Sequence, residues 1–591
     1  MAAALSVVLW SPASRAQSAV KVPQVGKPSV SAEQYKPVVG RYGGRMVRDV
    51  LGEPKSFNPI TAGETSTTDY TDRMFEGLTR ADPFSGLIVP HIAESFSVAD
   101  DKVTWTFVLR KDVRFNDGSP LTAKDVEFTW NELVYDNKRP ANAKDPRWPN
   151  STRDIAKVDG KAIEVTAIDD YTVKVVTASP TALLPRWMGQ AILPEKVYGP
   201  FARDGTFGGE LGSDAKPEEI VSSGPWMLKE YLRGNRVVLK RNPKYWQKDA
   251  AGNTLPYLDD MVFRVAGNTN IMLINFQQGT TDSYSLPSGR EVPILRPEQE
   301  KGNYTLWQIG PDYGTMFMAL NMNLDAAAKG RIPAHKVEWF RDQRFRRAVS
   351  HAVDRSALIR NVLRSMGHAL PAPFTVAPGP LTHDGFTVPE FNPELAKKLL
   401  ADMGFTPGPK GVLVDKEGRE LAFSLTTNAG NATRETYAEF IRKDLENIGM
   451  KVNFLPLEFN LLVDKMDNSQ DWEAMIMGFT GGLEPNDGAN FWRSDARLHL
   501  WWPNQAKPSF DWERRIDEIF DVGLKELDPV KRRAIYREWI DIVVAEQPVV
   551  YLVTNERVVA IRNKFGNLFP SQAPTLPAFH NELEIFVLEG K

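Results

Sequence analysis

Seven histidines, His91, His335, His351, His368, His383, His499 and His580, are the only imidazoles in the chain, and no two stand at the spacing of a zinc-binding helix. There is no cysteine, which removes thiolate metal sites, cysteine nucleophiles, disulfides and iron–sulfur clusters together. The motifs of nucleophilic, phosphate-binding and dinucleotide chemistry are absent: no Gly-x-Ser-x-Gly, no loop ending Gly-Lys-Ser/Thr, no Gly-x-Gly-x-x-Gly and no His-Glu-x-x-His. The 75 Asp and Glu leave paired carboxylates for glycoside hydrolysis open by count, yet nothing local singles out a pair. No catalytic residue, metal or cofactor is therefore expected. What is abundant is aromatic surface, 15 Trp, 15 Tyr and 30 Phe, able to fill a core or to line a cleft that grips a ligand.

These side chains must be positioned by several domains, because 591 residues exceed the ~100–200 of one domain. The net charge of −3 provides no field for a nucleic-acid backbone, so nucleic acid is not an expected partner. Ala2–Trp10 is a short apolar run followed by Ser11-Pro12, and Ser14 and Ala16 fit the −3 and −1 positions of a secretory cleavage site. The run is too short to span a membrane, which takes ~20 apolar residues. The basic stretch that normally precedes such a run is missing. Residues 1–16 are expected to be a signal peptide and 17–40 a flexible lead-in, rich in Ser, Pro, Val and Gln. No later stretch has the length and apolarity of a transmembrane helix, and without cysteine there is no lipid-anchor site, so a soluble exported protein is expected.

The first compact stretch reads as β-rich. Val103, Trp105, Phe107 and Leu109 alternate onto one strand face, Asn116-Asp117-Gly118 is a turn, and Thr122 with Asp125 forms a variant capping box. Glu164–Ile168 and Tyr171–Thr177 flank Asp169-Asp170 as a hairpin. Later the pattern turns to α/β. Asn392-Pro393 through Gly404 spells a complete helix, Leu421–Thr426, Val452–Leu457 and Trp472–Phe479 read as strands, and Tyr437, Phe440, Ile441, Leu445 and Ile448 recur at helical spacing before Gly449. Asp528-Pro529 opens a last helix with Ile535, Trp539, Ile542 and Val543 as its expected apolar stripe.

Several segments in one order resemble the extracytoplasmic solute-binding proteins of ABC importers, peptide/nickel type (family 5). They are Phe75–Leu78 with Pro90–Phe96, Thr104–Val126, Ser223–Trp226, Leu239–Trp246, Gln278–Asp282, and Asp342–Ser350 with Ala352–Arg355. The resemblance implies an α/β fold of periplasmic-binding-protein type II, two α/β lobes closing on a ligand plus an extra β-rich lobe. Lobe I would comprise 41–77, 193–316 and 546–591, lobe II 78–192 and lobe III 317–545. It implies capture of a small-molecule ligand by lobe closure in the periplasm and delivery to ABC permease transmembrane subunits, the binding protein being a monomer.

Peptide-binding relatives set an Asp against the ligand's α-ammonium, since an unpaired buried ammonium is very costly. Carried onto Gly478–Pro485, that position falls on Gly481 or Gly482, which cannot pair a charge. Glu484 or Asp487 would then take the role, or the ligand has no free amine. Phe479, Trp226, Phe491, Trp492, Trp501 and Trp502 could instead stack sugars, the oligosaccharide alternative to an oligopeptide. The resemblance also carries Glu64, Thr65 and Ser66 in the loop after the first strand of lobe I, Asn428 and Arg434 at a strand-to-helix turn, and Thr480 and Gly482 to the ligand site. Arg434 could pair a ligand carboxylate bidentately. A secreted polymer hydrolase, a reading from a different class, rests on aromatic content alone.

Overall fold

The computed structural model describes residues 22–139, 147–375, 377, 385–571 and 580–589. The expected signal peptide (1–16) and His383 lie outside the described residues. Three large sheets organise the described residues, the first with a core on each face and the other two with one core each.

The first sheet has nine strands. In spatial order its main path runs Lys27–Pro28, Tyr304–Pro311, Val553–Arg562, Ser283–Leu286, Arg45–Val50, Asp260–Val265, Arg236–Arg241 and Trp226–Leu232, and Gly367–Ala369 pairs onto Val553–Arg562. Alternation within one strand shows how both faces are covered. Val559 and Ile561 join Met46, Phe263 and Trp226 on one side, whereas Val558 and Ala560 join Tyr284, Leu306 and Phe276 on the other. The lead-in is not loose over its described part. Lys27–Pro28 pairs in parallel with Trp307 and Gln308, Val38 donates to Asn567 Oδ1 at 3.0 Å, and the Tyr35 hydroxyl bonds Glu584 while its ring meets Phe84, Phe569 and His580. A segment poor in periodicity can still be fixed when an edge strand offers it backbone partners.

The second sheet, in order Ala93–Val98, Thr104–Leu109, Thr172–Val176 and Glu164–Asp169, is antiparallel throughout. Phe107 and Leu109 are sealed in its core, and Gly118 takes φ +97° in the expected turn. The capping box forms, with the Thr122 amide donating to Asp125 Oδ2 at 2.8 Å, and it starts the helix Ala123–Phe128 that covers this sheet.

The third sheet runs Lys451–Leu457, Ala422–Asn428, Ala474–Phe479, Thr315–Leu320 and Val549–Tyr551. Its first three strands are parallel and linked through helices, the βαβ logic that the alternation of patterns implied. Asn392 caps the helix Pro393–Asp402 by accepting from Leu395 N at 3.0 Å, and Gly404 at φ +97° ends it. In the last helix, Pro529–Glu546, the buried stripe is Arg532, Tyr536, Trp539, Ile540 and Val543. The stripe is rotated from the expected one, leaving Ile535 and Ile542 only partly covered, because Arg532 and Tyr536 carry polar tips that find partners in the interior.

The first and third sheets are joined by two neighbouring strand pairs. Tyr304–Pro311 continues through residues 312–314 into Thr315–Leu320, and Val549–Tyr551 continues through Leu552 into Val553–Arg562. Asp312 N donates to Asn555 O (2.8 Å), Leu552 N to Met316 O (2.9 Å), and Thr554 Oγ1 to Gly314 O (2.8 Å). The crossings are thus hydrogen-bonded to each other, a narrow ribbon between two large cores.

Candidate functional site

Parallel strands point their carboxyl ends to one edge, and such edges are where open α/β sheets place ligands. In the third sheet Asn428 and Phe479 end neighbouring parallel strands, and Thr315, just after the crossing, pairs with Phe479. In the first sheet Arg45–Val50 and Asp260–Val265 are likewise parallel, and their carboxyl ends lead into Gly52 and Gly267. These two edges face each other. Thr269 N donates to Gly430 O at 3.0 Å and Ala432 N to Thr269 Oγ1 at 3.3 Å. A Cβ on Gly52 would lie 3.7 Å from the Phe459 ring and one on Gly63 3.1 Å from Arg497 Nη2. Gly430, at φ +81° with the Gly267 carbonyl 2.5 Å from where a Cβ would be, allows this approach. The seam between the first and third sheets is therefore the candidate site.

Glu64, Thr65 and Ser66 reach this seam. Glu64 precedes the helix Thr65–Met74 and its carboxylate accepts from the Thr67 hydroxyl and from Gly63 N (3.3 Å), while Thr65 is exposed and Ser66 stands beside Gly52 with its hydroxyl enclosed and unbonded. Asn428 and Arg434 come together as well, Asn428 Oδ1 accepting from Arg434 Nη1 at 2.9 Å. Phe479 is half-buried, its ring centroid 5.4 Å from that of Phe317 and 5.1 Å from that of Phe491, and Thr480 beyond it is exposed.

Trp226 does not belong to the seam. It is fully buried in the core of the first sheet, because as the first residue of its strand it points inward, and no face is left for a ligand. The aromatic cluster is corrected in the same way. Phe491, Trp492 and Trp501 interlock edge-to-face at 4.9–5.9 Å inside the third core, and Trp502 is held by a bond from Nε1 to Asp325 Oδ2 at 3.2 Å. Phe491, Trp492 and Trp501 pack on each other rather than offering free platforms, and Arg341 covers the Trp502 ring at 5.6 Å from its centroid.

The two acids expected to replace the missing Asp are already engaged. Glu484 pairs with Arg532, both nearly buried, and caps the short helix Pro485–Gly488 through Asn486 N at 3.3 Å. Asp487 is clamped by Arg186 from the helix Leu184–Trp187, one arm of the fork being Nη2 to Oδ2 at 2.6 Å. That pair, with Lys525 on Asp159 (2.7 Å) and Thr181 Oγ1 on Leu524 O (2.8 Å), ties the second unit to the third. Gly481 holds φ +69° with the Tyr313 carbonyl oxygen 1.9 Å from a hypothetical Cβ, so no side chain fits there, and at Gly482 a Cβ would meet the Asp487 carboxylate at 2.4 Å. Arg186 and Arg532 were not legible as partners, since a single sequence carries no mark of pairings 301 and 48 residues apart.

Burial pulls the Arg434 guanidinium down to about 10, since nothing opposes desolvation except the phenol of Tyr437. Among the described residues no three of His, Asp and Glu converge as a metal site, and no helix is long and apolar enough to cross a membrane.

Comparison with known proteins bears on the family and the fold. Residues 88–497 match the family model described as bacterial extracellular solute-binding proteins, family 5 middle. A probable ABC transporter-binding protein from Deinococcus radiodurans is 30% identical over 529 residues, 85% of each chain, and the oligopeptide-binding protein AppA of Bacillus subtilis is 25% identical over 78% of this chain and 79% of its own. Among solved structures, AppA with a nonapeptide superposes with a TM-score of 0.77 (22% identity, 94% of this chain and 100% of that one). MelB of Agrobacterium fabrum with stachyose superposes at 0.78 (20% identity, 94% and 86%). The shared fold is the periplasmic-binding-protein type II arrangement.

Proposed function

Because the chain belongs to the family 5 bacterial extracellular solute-binding proteins, we propose that it captures a short peptide or peptide-like solute in the seam between its first and third sheets and delivers it to the permease subunits of an ABC importer. The three sheets mark three lobes, of which I and III close on the ligand, outside the cytoplasm. The observation that carries this reading is the pair of facing carboxyl edges joined by two adjacent crossings. Such a ribbon bends as a hinge, and a ligand held by both edges stabilises the closed arrangement by its differential affinity for it.

A peptide backbone suits the strand Ala474–Phe479. Its register with Ala422–Asn428 covers Ala474 and Met475, so among the described residues Met477 to Phe479 have no strand partner on that side. An extended chain can add there by backbone hydrogen bonds, with Phe479 beside it as an apolar wall. The oligosaccharide reading keeps the likeness to the stachyose-bound protein as support but loses the tryptophan platform.

Native mass spectrometry of the freshly purified protein, followed by denaturation and identification of the released small molecule, tests this function. Peptides or peptide-like solutes are the expected release, and a hexose ladder would transfer the assignment to oligosaccharides. Phe479→Ala is expected to weaken binding of that solute about tenfold while the unliganded protein melts within a few degrees of wild type, since the ring is half-exposed. Calorimetric titration checks this, and unchanged affinity would place the apolar wall elsewhere.

A further inference from the structure

The unit of the second sheet is built onto the first unit and only touches the third. The chain leaves the first unit around Phe75 and returns to it at Leu193, both in that unit's core, so no covalent link runs from the second unit to the third. The helix Ala123–Phe128 and the turn Thr129–Val134 that continues it serve two cores. Trp130 and Val134 are sealed under the second sheet, whereas Phe128 and Leu133 lie in the core that holds Met46 and Phe263. An apolar interface shared in this way makes one body of the first two units.

The contact with the third unit is of another kind. Among the described residues the second core admits one side chain from the third unit, Leu524, and Ile155 leans on the third core in return. The bonds across the boundary are polar: the Arg186 fork on Asp487, Lys525 Nζ on Asp159 Oδ1 at 2.7 Å, and Thr181 Oγ1 donating to Leu524 O at 2.8 Å. The Arg186 and Asp487 side chains are 20% and 29% exposed and those of Lys525 and Asp159 36% and 39%, against 9% and 10% for Arg532 and Glu484 inside the third unit. Charges that keep water on one side can part without stranding a buried ion, which Arg532 and Glu484 cannot do. The two pairs also start from separate stretches of the third unit, the loop after Ala474–Phe479 and the end of the helix Asp511–Gly523. None of the four residues lies at the facing carboxyl edges.

Resting on the hinge reading above, we propose that lobe II is a clasp: through these two ion pairs it holds part of the protein closed when no solute occupies the seam. Rotation about the crossings parts lobe III from the body formed by lobes I and II, and it must break both pairs. Their strength adds to the closed state without touching the solute. It raises apparent affinity by raising the fraction of chains already in the competent arrangement.

The test needs no added ligand. The chain has no cysteine, so two introduced ones carry spin labels without background. Ile168→Cys on lobe II and Val530→Cys on lobe III place them at exposed positions outside the clasp, and pulsed electron resonance reads the distance between them. The full chain is measured untreated and solute-loaded, then again after solute is removed by denaturation and refolding. In low salt the freed protein should keep a population at the distance of the loaded one. Arg186→Gln should lower the ratio of closed to open chains about fivefold, the scale of a partly exposed, bidentate pair losing one partner. Salt at ~1 M, where the Debye length is about 3 Å, should lower it in wild type and change little more once Arg186→Gln and Lys525→Gln are combined. Arg186→Asp should cost more than Arg186→Gln, and adding Asp487→Arg should restore the closed population, which separates a broken pair from a damaged fold. Lys525→Glu, at the more exposed pair, gives the same reading should the swapped variant fail to fold. A freed protein wholly open in low salt, a ratio that neither Arg186→Gln nor Lys525→Glu moves, or a folded double swap without recovery would overturn the clasp and leave solute capture standing. One distance common to loaded protein, freed protein and every variant would remove hinge closure as well.

Discussion

Glu484→Leu should destabilise the unliganded protein by about 3–5 kcal/mol, the usual result of stripping one partner from a buried ion pair. The side chains of Glu484 and Arg532 are only 10% and 9% exposed, and Arg532 is held in place by its Nε bond to Gly523 O at 3.0 Å, so it cannot swing out to water when its partner is removed. Urea unfolding without ligand measures this directly. Adding Arg532→Met should recover most of the loss, because an apolar pair of similar volume commonly substitutes for a buried ion pair. An acid kept for a ligand ammonium behaves in the opposite way, with affinity lost and the unfolding midpoint of the empty protein unmoved. A midpoint that stays in place would return Glu484 to the ligand site.

Gly481→Asp, an acid at one of the two positions to which the resemblance carries the amine-binding Asp, is expected to cost about 3 kcal/mol or more and to impair closure. The left-handed conformation alone accounts for roughly 1–2 kcal/mol with any Cβ, and overpacking against the Tyr313 carbonyl adds typically ~1–3 kcal/mol. Tyr313 lies in one of the two crossings, so the displaced backbone is hinge backbone. Gly482→Asp is the informative companion: its Cβ meets a side chain instead of main chain, and the new carboxylate can share Arg186 with Asp487. It should fold with a smaller loss. Thermal unfolding of the two variants side by side decides the matter, and a Gly481→Asp protein as stable as wild type would mean that the loop re-routes freely.

What could be read from the sequence was local. Asn392, Pro393 and Gly404 bracket a helix because capping is settled within a few residues, and the alternation through Phe107 and Leu109 names its own buried face. The order of strands in the first sheet could not be read that way, because it joins segments as distant as Lys27 and Val559. At the site, Asn428 and Arg434 were named by the resemblance alone, and their contact is one that a single strand-to-helix turn makes. The fates of Glu484 and Asp487 were not, each being decided by an arginine on another element. The tryptophans misled for a related reason: composition reports how many rings there are, and only packing reports which faces are already occupied. Trp226 shows the same at one position, where the inward half of the strand's alternation sets its role.

The place of Val553–Arg562 in the first sheet has a further consequence, for the order in which the chain can acquire structure during synthesis. This strand lies between Tyr304–Pro311 and Ser283–Leu286, so a nascent chain ending at Glu546 has a gap in the middle of its largest sheet and both flanking strands bare. Neither core of that sheet can seal before the last long strand arrives, and pairings of such sequence separation form slowly. The first sheet therefore stays open until nearly the whole chain has been made, whereas the second sheet, complete in sequence by Val176, has its strands in hand long before.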